Sequence, residues 1–308
     1  MLVSEDMKKY IARIFIFFAI MISLDVVVGY LSDYLVENAK SGATLKNEYI
    51  CEKTKEDILI FGSSRAVHHY NPLIIQDSLN MTCYNCGYDA CGIITAYGLL
   101  RTLYKHYTPK AILYEVTPKY DCLEGDNSSY LGPLKLIYSK SDIEDVFENV
   151  SYNEKFKMKS GMYRVNTKFI QLVTDNVKNE KSIMQGFLPI DGKMNYEPKI
   201  VAPDKHENYD NLKVFYLNKF VELCRSNGIS LVFMVSPSYK MTSDAELEYM
   251  VRFAEKNNIP FINYYCYKPI TENKEFFYDG VHMNKTGADE YTKVFVSENK
   301  DFLMSLNK

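Results

Sequence analysis

From Ile14 to Leu31 the chain is almost unbroken in apolar character, Ile-Phe-Ile-Phe-Phe-Ala-Ile-Met-Ile-Ser-Leu-Asp-Val-Val-Val-Gly-Tyr-Leu. Such a run is about long enough to cross a bilayer as a helix. Lys8, Lys9 and Arg13 precede it, which orients the amino end toward the cytoplasm. No small-residue cleavage site follows, so residues 1–32 read as a cytoplasmic tip and an uncleaved, single-pass signal anchor. Asp25 interrupts the run. A carboxylate in a spanning helix costs a few kcal/mol at the centre and less toward the ends. Its place in the outer half lets it reach the interface or a partner helix. The alternative is a buried core helix. Residues 33–56 are polar without sustained apolar periodicity and predict a juxtamembrane linker.

Beyond residue 57 the pattern alternates. Short apolar runs predict strands at Ile58–Phe61, Met81–Asn85, Ala111–Val116, Ser230–Val235 and Pro260–Tyr264. Helical spacing predicts helices at Pro72–Leu79, Ile93–Tyr107, Tyr209–Asn227, Asp244–Asn257 and Gly287–Val296. Strand–helix alternation at this spacing gives an α/β fold with a mostly parallel, five-stranded sheet and helices on both faces. Between about 119 and 205 the pattern loosens into helical fragments, such as Ile143–Val150 and Tyr163–Val177, and polar loops. This reads as a cap or insertion within one domain, 57–308. Long insertions at the carboxyl edge of a sheet commonly shape a substrate site.

Composition narrows the classes. The net charge is −3, with no basic stripe interleaved with aromatics, which argues against nucleic-acid binding. The seven cysteines cannot all pair within the chain. Cys83-Tyr-Asn-Cys86 has the spacing of a metal half-site or redox pair, but no second half-site follows and the pair does not open a helix. No metal or cofactor is expected.

Two stretches carry candidate chemistry. In Ile58-Leu-Ile-Phe-Gly62-Ser63-Ser64-Arg65-Ala66 a buried strand runs into a glycine turn and then a helix start. Open α/β sheets place their chemistry at such carboxyl ends. A hydroxyl here stands near helix N–H groups that favour negative charge. Either serine can also simply cap the helix. Near the end, Tyr278-Asp279-Gly280-Val281-His282 spaces Asp279 and His282 three apart, which in a helical turn puts both on one side. An Asp fixing one ring nitrogen leaves the other free to act as a base for a serine. His68 and Arg65 adjoin the serine turn and are candidate substrate-binding residues, with a surface histidine and a structural salt bridge as the alternatives.

The Gly62-Ser63-Ser64-Arg65-Ala66 turn, the Asn85-x-Gly87 turn and the terminal Asp279-Gly-Val-His282-Met-Asn segment together resemble the SGNH (GDSL-type) hydrolases. The resemblance runs from about Asp57 to the end, apart from the insertion. It implies a flavodoxin-like three-layer αβα sandwich, with Ser64 as nucleophile, His282 as base and Asp279 orienting it. It also implies oxyanion donors at the Ser64 N–H and at Gly92 or Gly87. Many members carry Gly-x-Asn-Asp after the third strand, where this chain has Val116-Thr117-Pro118-Lys119. Asn85 is the candidate replacement donor. The implied activity is an extracytoplasmic serine esterase or O-acyltransferase working on acyl esters, acetyl above all, of envelope or exported polysaccharide. A transferase would need an integral-membrane acyltransferase partner to deliver its donor. The rival is an inactive accessory subunit that binds glycan.

Overall fold

The computed structural model describes residues 5–178, 184–200 and 208–306. Helix α1 (Glu5–Glu37) and α2 (Gly42–Glu52) precede the body. The body follows as β1 (Ile58–Gly62), α3 (Ser64–His69), α4 (Pro72–Leu79), β2 (Cys83–Asn85), α5 (Ile93–Leu103) and β3 (Ala111–Glu115). Short helices α6 (Pro118–Asp121), α7 (Gly132–Lys135), α8 (Glu144–Val150), α9 (Tyr152–Lys157), α10 (Gly161–Val165) and α11 (Phe169–Val177) make the insertion. Its residues 179–183 and 201–205 lie outside the described residues. Then come α12 (Asn211–Ser226), β4 (Ser230–Val235), α13 (Glu248–Lys256), β5 (Phe261–Asn263), α14 (Lys268–Thr271) and α15 (Lys285–Ser305).

The five strands form one sheet in the order β2-β1-β3-β4-β5, every pair parallel. Both faces of a parallel sheet must be covered, which is why its strands read as continuous apolar runs. Every residue of β1 and β3 is buried. Side chains alternate between faces. Leu59 and Phe61 join a core built with α5, α12 and α13, while Ile58 and Ile60 join one built with α4 and α15. This is the expected three-layer sandwich. Its strand order reverses between β1 and β3, and such switch points are where open α/β sheets bind ligands.

Helix α1 is long and apolar enough to cross a membrane. The stretch after it differs from the linker expected at 33–56. Helix α1 continues to Glu37, and α2 is packed into the body. The cause is polar burial. Thr44 bonds Asp175 Oδ2 at 2.6 Å, Asn47 donates to Pro133 O at 2.7 Å, and Lys46 donates to Gly87 O and Gly186 O at 2.6 and 2.9 Å. A helix buried through polar side chains with dedicated partners leaves no apolar stripe in the sequence. The expected single helix over 163–177 is also split, with Thr167 at φ 67° between α10 and α11. All seven cysteines are free thiols, and six are buried.

Candidate active site

Strand β1 ends in Gly62, whose φ of 138° is closed to other residues and whose missing Cβ would stand 2.5 Å from Glu115 O. The chain therefore turns sharply at the switch point and opens α3 with Ser64. Ser63 occupies the N-cap position but makes no side-chain capping bond. Its hydroxyl instead meets Thr117 Oγ1, just beyond β3, at 2.9 Å. The capping alternative for these serines is thus not what the fold uses. Thr117 immediately precedes Pro118, the residue in the asparagine's place of the Gly-x-Asn-Asp pattern.

His282 Nε2 lies 2.8 Å from Ser64 Oγ, and His282 Nδ1 lies 2.9 Å from Asp279 Oδ2. The segment is not the helical turn expected from the spacing. Asp279 Oδ1 accepts the N–H groups of Val281 and His282 at 2.8 and 2.7 Å, folding the chain around its own carboxylate. This is the local side-chain turn that aspartate favours. Burial acts to raise the Asp279 pKa. The bonds from the His282 ring and from the two N–H groups outweigh it and hold the group at about 2. Asp279 is therefore ionised at neutral pH and favours the Nδ1–H tautomer of His282, leaving Nε2 to accept from the serine.

A buried network beneath the site ties these pieces together. Arg65 pairs with Glu115 at 2.7 Å, with both side chains almost fully buried. The Ser236 hydroxyl donates to Glu115 Oε1 at 2.9 Å, and His69 Nδ1 sits 2.7 Å from that hydroxyl. His69 Nε2 accepts the Met283 N–H at 3.0 Å, next to His282. Burial first, and then the Arg65 charge, push the His69 pKa well below its usual value. A neutral ring with its proton on Nδ1 satisfies both contacts. The chain Glu115–Ser236–His69–Met283 so fixes the Asp279–His282 loop to the ends of β3 and β4. The sequence reading missed it, since nothing local marks Glu115, Ser236 or His69 as partners.

Arg65, Asn85 and Gly87 do not take the roles expected of them. Arg65 is committed to Glu115 and Ser236, with no free face for substrate. Asn85 is fully buried and spends its side-chain N–H groups on Ala66 O and Tyr70 O, so it cannot replace the missing asparagine. The Gly87 N–H is taken by Asn85 Oδ1 at 3.0 Å. Gly92 is buried at the N-cap of α5 against the Tyr120 backbone. Beside it, Asp121 accepts from Ile93 N–H, Tyr114 O–H and Thr117 N–H and so clamps α5 to the end of β3, with burial pushing its pKa up to about 7.

His68 sits at the site but through other partners. Its ring stands edge-on to His282, with centroids 5.8 Å apart. Its nitrogens face Leu188 O at 2.6 Å and Asp89 Oδ1 at 2.9 Å. Leu188 and Asp89 both line a cavity of about 420 Å³ that also takes in Val67, Lys46, Ala90 and Lys168. Val67 lies about one helical turn beyond Ser64 on α3. Ala90 is exposed on its rim with φ 53°, an uncommon conformation for a residue with a Cβ.

No protein-family model and no curated protein matches the chain. Among solved structures it is similar to a proposed lipolytic protein of the G-D-S-L family from Desulfitobacterium hafniense DCB-2, at 8% identity and TM-score 0.38, covering 81% of this chain and 99% of that one. It is also similar to a proposed acylhydrolase from Bacteroides fragilis NCTC 9343, at 11% identity and TM-score 0.41, covering 86% and 99%. A third, described as a proposed platelet activating factor from Streptococcus pneumonia, matches at 12% identity and TM-score 0.38, covering 90% and 98%. Similarity at this level carries no function across to this chain.

Proposed function

We propose that this protein is a membrane-anchored serine esterase or O-acyltransferase of SGNH type, with its catalytic domain outside the cytoplasm. The observation that carries the reading is the contact chain Ser64–His282–Asp279 at 2.8 and 2.9 Å, set at the switch point of a parallel sheet. His282 takes the Ser64 proton as Oγ attacks the ester carbonyl, then returns it to the leaving alcohol, while Asp279 steadies the imidazolium. The oxyanion rests on the Ser64 N–H, which opens α3 and has no acceptor within the helix, together with the backbone of the loop 89–92. Water as acceptor gives a deacylase, and a sugar hydroxyl gives a transferase. The cations ahead of α1 support an amino end in the cytoplasm. An acylated envelope polysaccharide is the substrate class that the resemblance supports, with an integral-membrane acyltransferase as donor partner in the transferase case.

One observation favours a non-catalytic, glycan-binding subunit. Where many SGNH hydrolases carry Gly-x-Asn-Asp, this chain has Val116-Thr117-Pro118-Lys119, so Pro118, which has no side-chain donor, stands in the asparagine's place. A fluorophosphonate probe and an aryl acetate separate the two readings. The enzyme labels at Ser64 and turns over, and Ser64→Ala does neither. Absence of both labelling and turnover in the wild-type protein favours the binding subunit.

A further inference from the structure

The cations and carboxylates of α1 act as a ruler. Between Arg13 and Asp33 its only charge is Asp25. At 1.5 Å per residue that interval is about 30 Å, the thickness of a hydrocarbon core. Asp25 then lies about 18 Å above Arg13 and about 12 Å inside the far edge. It is not alone there. Its carboxylate accepts Ser160 Oγ at 2.6 Å and the N–H groups of Gly161 and Met162 at 3.0 and 2.9 Å. Gly161 packs against Gly29 so closely that a Cβ would fall 2.5 Å from the Gly29 Cα and the Asp25 carbonyl. Higher up, Arg164 pairs with Asp33 at 3.0 Å. The start of α10 is therefore fixed at a depth where α1 should still be in lipid. On its other sides α1 keeps exposing apolar residues above Asp25, with Val27 60% and Tyr30 75% exposed. Lipid that covers those residues also surrounds α10.

The insertion is built for that position. Its exposed side chains include Phe156, Met162, Phe169, Ile170, Val173 and Val177, and Ile170 and Val177 are 79% and 78% exposed. Ile170, Val173 and Val177 follow helical spacing on the side of α11 away from Leu172, which packs with Val36 and Val165. Among these residues Lys157 and Lys159 are exposed, with Lys159 Nζ 5.8 Å from the Phe156 ring, and their long stems can carry the charges to the headgroups.

We infer that α9–α11 form a collar seated in the leaflet nearer the body of the protein, so that the domain is embedded as well as tethered. Lipid is the occupant because the patch is continuous with the lipid-facing surface of α1. The inference rests on the reading of α1 as a membrane span, and the test separates the two.

The chain has no tryptophan, so single tryptophans report depth without background. Full-length protein in phosphatidylcholine–phosphatidylglycerol vesicles with brominated acyl chains is compared for Ile20→Trp, Met162→Trp, Ile170→Trp and Met304→Trp. The collar predicts blue-shifted emission and quenching at positions 162 and 170 to at least half the extent at 20, with 304 unquenched. Quenching at 20 alone overturns the collar and leaves the anchor standing. No quenching at 20 overturns both. Phe156→Trp repeats the reading at a second exposed site if Met162→Trp misfolds.

Discussion

Asp279 and Asp25 are two carboxylates held in the same way by different means. Each accepts two backbone N–H groups and one side chain. The partners of Asp279 lie within three residues, whereas those of Asp25 lie at residues 160–162, in the insertion. The first carboxylate makes a local turn that aims an imidazole at a serine. The second joins an apolar helix to a domain. A short-range carboxylate site can be read from spacing alone. A long-range one appears in the sequence only as a charge in the wrong place.

The comparison can be broken at either end, and the largest effect belongs to the local site. Ser64→Ala should lower kcat on an aryl acetate by about 10⁶-fold with the fold intact, as expected when the nucleophile of a triad is lost. Asp279→Asn should cost about 10⁴-fold, through the wrong His282 tautomer. Neither change should alter membrane association in a flotation assay. If Asp279→Asn retained most of the activity, the local turn would be structural only. Asp279 also gives a pH signature. Its pKa is depressed in the folded state, so its contribution to stability is complete above the ordinary carboxylate value and is lost as pH falls toward about 2. Acid unfolding of Asp279→Asn should lack that part of the slope.

Beneath the site, Glu115→Gln leaves Arg65 buried without its charge partner. A loss of about 3–5 kcal/mol in denaturant unfolding is expected. Lys46 comes next. Burial lowers its pKa to about 8, against an ordinary value near 10.4. The unfolded chain binds the extra proton between those values, so this group's contribution rises with pH from about 8 to 10.4. The stability of the wild type relative to Lys46→Met should climb by about 2–3 kcal/mol across that window. A neutral amine keeps two N–H donors, enough for both carbonyls it bonds. The smallest effect belongs to Asp25→Ala. Losing the bonds to Ser160, Gly161 and Met162 should cost about 1–3 kcal/mol locally. Hydrogen exchange should quicken across α10 and α11, while Ser64 labelling stays unchanged.

Much of the sheet is legible because a parallel strand must be apolar on both faces, as Ile58–Phe61 and Ala111–Val116 are. Ser64, Asp279 and His282 are legible because turn residues mark where they stand. Helix α2 is not, because Thr44, Lys46 and Asn47 are buried by partners far along the chain. For the same reason Arg65 reads as a candidate ligand, although Glu115 neutralises it. Asn85 looks like a free donor, although it holds the start of α3 and the end of that helix together. A side chain's availability depends on who else reaches it, and that is a property of the fold.

The weld between α1 and α10 has a consequence for how the protein searches. A flexible linker over 33–56 would let the domain wander by about 27 Å r.m.s.. With Asp25 and Gly161 in contact, that freedom is gone, and Ser64 is held at one height and one tilt. With α1 in a bilayer, Ser64 would then scan a plane at a fixed distance from it, over a range set by lateral diffusion in the lipid and not by the length of a tether.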